Sequence, residues 1–244
     1  MSKYSNLLNE QVKEALESYI IEHGLTAGDA LPSERVLAEN LGVNRLTVRA
    51  AIKRLRNEHR INTLHGKGNF IAPPKIMEST SKMESFTAGW SNDGYTPTSK
   101  LLAMDEREAP LSICYQLGIS LGDKVIFLNR VRYLNGEPIA LESTYLPSKL
   151  VPGILCHNFE KESLYAVLES EYNLRLMRQE ETISICHMSK AQSRHLNAKE
   201  GDPAFLINGL SFDGDSPFEY CTTINPADRY ALSSTMTPDT KSNQ

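Results

Sequence analysis

Residues 32–57 read PSERVLAENLGVNRLTVRAAIKRLRN, and this stretch decides the fold of the N-terminal part of the chain. Pro32-Ser33 opens a short helix over Glu34 to Asn40, with the Ser33 hydroxyl placed to cap its first turn. Leu41-Gly42-Val43 interrupts that helix, and Asn44 can cap the next one, which runs to about Asn57. On this second helix Val48, Ile52 and Leu55 fall on one face and are expected to pack inward. Arg45, Arg49, Lys53 and Arg56 recur at helical spacing on another face. Arg45 to Lys53 spans about 12 Å at helical rise, close to the width of the DNA major groove. Helix, glycine-containing turn, helix is the arrangement that lays its second helix in that groove.

Working outward, Leu8, Val12, Leu16 and Tyr19 recur at helical spacing between Leu7 and His23, and Gly24 supplies the stop. On the other side, Ile61–Leu64 and Asn69–Ala72 read as two short strands joined around His65-Gly66-Lys67-Gly68. Charge follows the same division. Residues 1–75 hold 11 Lys/Arg against 8 Asp/Glu, whereas residues 76–244 hold 15 against 22, in a chain of net charge −4. Between 44 and 67 there are seven basic residues and a single acid, Glu58. A confined basic block on an acidic protein points to a local polyanion site. A basic stripe alone equally describes a solvated helix face; the turn, the preceding short helix and the hairpin, in this order, favour DNA.

The four cysteines (Cys114, Cys156, Cys186, Cys221) form no Cys-x-x-Cys pair, so neither a disulfide framework nor a zinc cluster is expected. His187 and His195 lack clustered partners and are read as packing or surface residues, not metal ligands. The polar N-terminus MSKYSNLLNEQ is unlike a signal peptide, and no apolar run approaches the ~20 residues of a membrane span. A cytoplasmic protein without membrane partner, metal or cofactor is expected.

Pro73-Pro74 and the polar residues 78–82 (ESTSK) read as a linker over 74–82, between domains at 1–73 and 83–244. Beyond it, strands are expected at 124–133, 139–146, 182–188, 204–212 and 218–224, with short helices at 111–117, 163–171 and 190–196. Asn135-Gly136 and Asp213-Gly214 read as hairpin turns, and the pattern favours an antiparallel α+β domain. Alternation along KVIFLNRVRY (124–133) puts Arg130 and Arg132 on one strand face with Ile126 and Leu128. Two neighbouring arginines repel unless an anion lies between them or carboxylates neutralise them. Ser163, at a helix start, could offer its hydroxyl and free amides to a phosphate, or serve as an ordinary N-cap.

The N-terminal motifs resemble the DNA-binding domain of GntR-family regulators. They are Gly28-Asp29-Ala30-Leu31-Pro32-Ser33-Glu34-Arg35, Leu41-Gly42-Val43-Asn44-Arg45-Leu46-Thr47-Val48-Arg49 and Gly66-Lys67-Gly68-Asn69-Phe70-Ile71. The resemblance implies a winged helix-turn-helix with DNA contacts from Arg35, Arg45, Arg49 and the wing-tip Gly66, supported by Ser33, Asn44, Thr47 and His65. His59 stands where the family usually has glycine, and Asn69 where it usually has threonine. Residues 83–237 resemble the UTRA effector domain of the HutC-like subfamily, whose fold is similar to chorismate lyase. That resemblance rests on Met83-Glu84-Ser85-Phe86-Thr87, Arg130-Val131-Arg132, Leu141-Glu142, Ser163-Leu164-Tyr165, Phe218-Glu219-Tyr220 and Arg229-Tyr230. It implies a phosphate held by Arg130, Arg132, Ser163, Tyr165 and the Ser85-Phe86-Thr87 loop, with Glu142, Glu219 and Tyr230 on sugar hydroxyls or an amide. The expected protein is a transcription regulator, not an enzyme: a homodimeric repressor on double-stranded operator DNA, answering to a small effector, a phosphorylated sugar or amino sugar. A sensor of a non-phosphorylated carboxylate is the alternative. A chorismate-lyase-type enzyme using Arg130 and Glu142 ranks behind both.

Overall fold

The computed structural model describes residues 3–64 and 66–236 and divides the chain into two compact units, 1–76 and 77–244. In the first unit α1 (Lys3–Glu22) is followed by α2 (Glu34–Leu41) and α3 (Arg45–Asn57). The hairpin β1 (Ile61–Leu64) and β2 (Gly68–Ile71) completes it, in antiparallel register from Ile61↔Ile71 to Leu64↔Gly68. The inward residues of α3 meet Val12, Leu16, Leu31, Leu37 and Ile61 in one buried cluster. Burying each Leu or Ile of this size contributes about 1.5–3 kcal/mol. Gly42 ends α2 in the left-handed region (φ 62°) and returns its N–H to the last turn of that helix. His59 also has positive φ (55°), a conformation that costs a residue with a side chain more than the glycine it replaces in the family pattern.

In chain order the second unit contains β3 (Ile76–Ser79), α4 (Phe86–Asn92), β4 (Pro97–Glu108), α5 (Leu111–Leu117), β5 (Lys124–Leu134) and β6 (Glu137–Pro147). It continues with α6 (Leu164–Tyr172), β7 (Arg178–His187), α7 (Lys190–His195), β8 (Pro203–Asp213), β9 (Ser216–Pro226) and β10 (Tyr230–Ser233). Six strands form an antiparallel sheet in the order β4-β5-β6-β9-β8-β7. The β5–β6 turn is Asn135-Gly136, with φ 51° and 84°, the positive pair that a two-residue hairpin favours.

Each sheet face has its own cover. Val125 packs with Ile113, Cys114 and Leu117 of α5 on one face. On the other, Ile126, Leu128, Leu146 and Phe218 pack against Leu164, Val167 and Leu168 of α6. Alternation therefore carries Arg130 and Arg132 onto the α6 face, beyond the apolar part of that layer.

Four elements differ from the sequence reading, one of them β10, which was not expected as a strand. Strand β4 was not anticipated; it is an edge strand whose register shifts between Leu101 and Ala103, which breaks the alternation that marks a strand. Residues 76–79, within the stretch read as linker, form β3 and pair with β10, and Thr80 N–H donates to the Ser233 carbonyl at 2.8 Å. Backbone pairing of this kind is indifferent to the polar side chains that suggested a linker. Residues 86–92, read only as a binding loop at Ser85-Phe86-Thr87, coil into α4 with Ser85 as its N-cap.

Candidate functional site

In the first unit the candidate surface is α3 with the hairpin tip. Ser33 caps α2, accepting from Val36 N–H at 3.4 Å. Asn44 caps α3: its Oδ1 accepts from Thr47 N–H at 2.9 Å and from Thr47 Oγ1 at 3.0 Å. Thr47 is buried and spent on this cap, so it and Asn44 fix where the helix starts. Arg45 and Arg49 stand out from the helix with side chains 61% and 56% exposed. Both meet one carboxylate, Glu34 of α2: Arg45 Nε lies 3.1 Å and Arg49 Nη2 2.8 Å from its Oε2. The Arg49 hydrogen bond, ahead of that from Arg45, holds the Glu34 carboxyl below its usual range despite partial burial. Glu34 was not singled out from the sequence. Its signal there was being the acid nearest the arginine stripe, in the first turn of the preceding helix. Arg35 pairs with Glu39 at 2.9 Å and is 71% exposed. Gly66 sits at the hairpin tip with φ 74°, and a Cβ built there meets nothing within 4 Å. His65 lies outside the described residues.

The second unit holds a cavity of about 500 Å³ on the α6 face of the sheet, within the range of small-molecule sites. Ser85, Phe86, Thr87, Arg130, Arg132, Glu142, Ser163, Tyr165, Glu219 and Tyr230 all line it. Register brings the charged floor together, since Arg130 on β5 lies directly opposite Glu142 on β6. Arg130 donates to Glu142 Oε1 from both Nε (3.0 Å) and Nη2. Arg132 reaches the same oxygen from Nη1 at 3.6 Å, its guanidinium lies 4.1 Å over the Phe86 ring, and its Nε has no partner. Both arginines are only 3% exposed. Burial pushes the Arg132 guanidinium down to about 10, only partly offset by Glu142. Burial also pushes Glu142 up, but Arg130 and then Arg132 outweigh it, and the carboxyl ends below its usual range.

Glu219 forms a second cluster. Ser211 Oγ donates to its Oε2 at 2.9 Å and the Tyr165 hydroxyl donates to the same oxygen, while burial holds the carboxyl above its usual range. Tyr230 donates to Glu78, a cavity residue the sequence reading did not select. Ser163 precedes α6 without a side-chain capping bond, so that task does not occupy its hydroxyl. Ser85 does cap, accepting from Ala88 N–H at 3.2 Å.

Residues 8–71 match the family model for bacterial regulatory proteins, gntR family, and residues 92–231 match that for the UTRA domain. The chain is 28% identical over 223 residues to the transcriptional repressor NagR of Bacillus subtilis, covering 91% of each chain. It is likewise 28% identical over 225 residues, 91% of this chain and 93% of the relative, to the mannosyl-D-glycerate transport/metabolism system repressor MngR of Escherichia coli. With the repressor PhnF of Mycolicibacterium smegmatis it shares 32% identity over 210 residues, 86% of this chain and 84% of that one. The crystal structure of PhnF superposes with a TM-score of 0.66 at 29% identity, covering 93% of this chain and 100% of the other. The chain therefore belongs to the GntR family of transcription regulators, with an N-terminal helix-turn-helix domain for binding DNA and a C-terminal UTRA domain.

Proposed function

We propose that this protein is a cytoplasmic, homodimeric repressor whose hold on operator DNA is set by a phosphorylated sugar bound in the UTRA cavity. Arg45 and Arg49 read base edges in the major groove, Arg35 and the Gly66 wing position the duplex, and Ser33, Asn44 and Thr47 hold the helix starts in place. Glu34 keeps the two reading arginines aligned while no DNA is bound. An exposed ion pair of this kind is worth only about 0–1 kcal/mol, so a guanine edge can displace it at little cost.

The observation that carries the effector reading is the arginine pair. Two buried guanidiniums share one carboxylate, and Arg132 Nε has no acceptor. That leaves an uncompensated positive charge and a free donor on a buried floor, which an anion satisfies. Ser163 and the free amides at the start of α6 offer further donors nearby. A dianionic phosphate ester uses all of these, while Glu142, Glu219 and Tyr230 suit a sugar's hydroxyls.

Calorimetry on the full-length protein tests this, with hexose 6-phosphates measured beside the same sugars unphosphorylated. The reading requires the ester to bind at least tenfold more tightly, and equal affinity for the free sugar would sink it. A second reading has its own support. One surplus positive charge also matches a monoanionic carboxylate, and the name of MngR joins a sugar to a sugar acid. A glycosyl carboxylate in the same titration that binds more tightly than every phosphate ester would establish that reading instead.

A further inference from the structure

Of the four large apolar side chains on α3, three turn inward and one does not. Val48, Ile52 and Leu55 join the buried cluster, whereas Leu46 is 73% exposed and lies outside it. At about 100° per residue, Leu46 stands opposite Leu55, on the outermost line of the helix. Around the helix Lys53 lies about 20° from that line, two turns on, and Arg49 about 60° from it. Leu46 therefore occupies the middle of the solvent-facing side, in the first turn, between Arg45 and Arg49 along the chain.

A lone exposed leucine is ordinary on a protein surface. The position of this one is not. Asn44 fixes the start of α3 by accepting from Thr47 N–H at 2.9 Å, so the first turn, and with it the backbone of Leu46, is held in one place. The side chains of Arg45, Arg49 and Lys53 around it are exposed and cationic, a setting that suits a polyanion and not an apolar protein surface. Folding gains little from an apolar group there, since lysine, glutamine or arginine has nearly the same helix propensity and stays hydrated. A leucine brings no charge for a phosphate, and no donor or acceptor for a base edge. The one apolar group that the major groove presents is the C5-methyl of thymine.

We propose that Leu46 is a specificity-determining residue that packs against a thymine methyl of the operator, beside the base edges that Arg45 and Arg49 bond. This inference rests on α3 being the helix that enters the groove, and it adds a base that no hydrogen bond reads. Discrimination comes from the loss of hydration. With thymine, the methyl and the leucine leave water together. Cytosine, adenine or guanine in that place sets the leucine against a polar edge stripped of its water.

The full-length protein selects its operator from a random duplex library, and that operator is remade with single dT→dU replacements. Each removes one methyl and leaves every hydrogen-bonding group in place. In anisotropy titrations at matched salt the parent protein is expected to lose about fourfold in affinity at one thymine, the worth of one methyl taken out of water. Leu46→Ala is expected to bind the thymine operator several-fold more weakly and to bind the dU form equally well, while Leu46→Met keeps the preference. Leu46 lies outside the core cluster, so both variants should melt like the parent. No dU penalty in the parent, or the same penalty in Leu46→Ala at every thymine, overturns the inference. Recovery of an unchanged thymine preference when Leu46→Ala selects from the library overturns it as well. Failure of the helix assignment looks different: Arg45→Ala and Arg49→Ala then bind the operator as the parent does.

Discussion

Replacing Arg132 by methionine separates the cost of the proposed anion site from its use. In the folded protein the Arg132 guanidinium is almost wholly buried, makes one long ion pair at 3.6 Å, and leaves Nε without an acceptor. Burial lowers its pKa from the ordinary arginine range to about 10. At about 1.4 kcal/mol per pKa unit, keeping this group charged costs folding roughly 3 kcal/mol near neutral pH. Because the folded pKa is depressed and the group is a cation, the cost is present below pH 10. It disappears as the pH rises from there toward the ordinary arginine pKa. Methionine removes it and keeps much of the volume over Phe86, giving up a cation–π contact worth about 0.5–2 kcal/mol. The net expectation is unchanged stability or a gain of up to about 2 kcal/mol, which at 2–4 °C per kcal/mol raises Tm by as much as about 8 °C.

Arg130 should behave in the opposite way, because it supplies the hydrogen bonds to Glu142. Arg130→Met leaves that carboxylate buried with only the distant Arg132, and breaking a buried pair in this way costs about 3–5 kcal/mol. Calorimetric melting of both variants, followed by titration with hexose phosphates, gives the assay. Both should lose ester affinity tenfold or more, since a charge-assisted hydrogen bond contributes about 1.5–3 kcal/mol. Only Arg130→Met should melt early. If Arg132→Met melts as early as Arg130→Met, or still binds the ester within twofold of the parent, Arg132 is a structural ion-pair member and not an anion receptor.

Other expectations concern the DNA-binding unit. Arg45→Ala and Arg49→Ala should each weaken operator binding by about 1–3 kcal/mol, with a smaller loss on scrambled duplex, in anisotropy titrations at matched salt. Equal losses on both duplexes would reduce them to phosphate contacts. Glu34→Gln frees both arginines and removes a negative charge beside the DNA, so scrambled duplex should gain affinity more than operator does; a uniform loss on both would contradict the alignment role. Gly66→Ala meets no atoms but puts a Cβ on a residue at φ 74°, a strain of about 1–2 kcal/mol that should lower Tm by several degrees, and it should weaken operator binding at temperatures where the protein is still folded. Normal operator binding by this variant would mean that the wing tip does not approach the duplex.

The helix-turn-helix was legible in the sequence because its determinants are local. Ser33 and Asn44 announce helix starts, Gly42 a stop, and Val48, Ile52 and Leu55 a buried face, each by a rule spanning a few residues. Strand β4 lacked such a signal because its bulge interrupts the alternation, and β3 because its pairing partner lies some 150 residues away at β10. The cavity was legible in its residues and obscure in its electrostatics. Two arginines on one strand face are visible in KVIFLNRVRY. That Glu142 lies directly across from Arg130, while Glu219 is engaged by Tyr165 and Ser211, depends on β6 pairing with both β5 and β9.

The same distinction explains Glu34 and Glu78. Glu34 lies 11 and 15 residues before the arginines it holds, and Glu78 lies 152 residues before the tyrosine that bonds it. Side chains that act by pairing across elements carry no periodic mark of their own, whereas side chains that face a groove or a core do. The consequence for function is specific. The residues a sequence nominates as receptors, Arg45, Arg49, Arg130 and Arg132, all prove to have an acidic partner within the protein. At the surface, exchanging Glu34 for DNA costs little because water screens both states. In the cavity the acid is buried and stays, so the proposed anion would bind beside Glu142 without displacing it. Affinity there follows from what the first partner leaves unsatisfied, which in this structure is the Arg132 Nε and the second guanidinium charge.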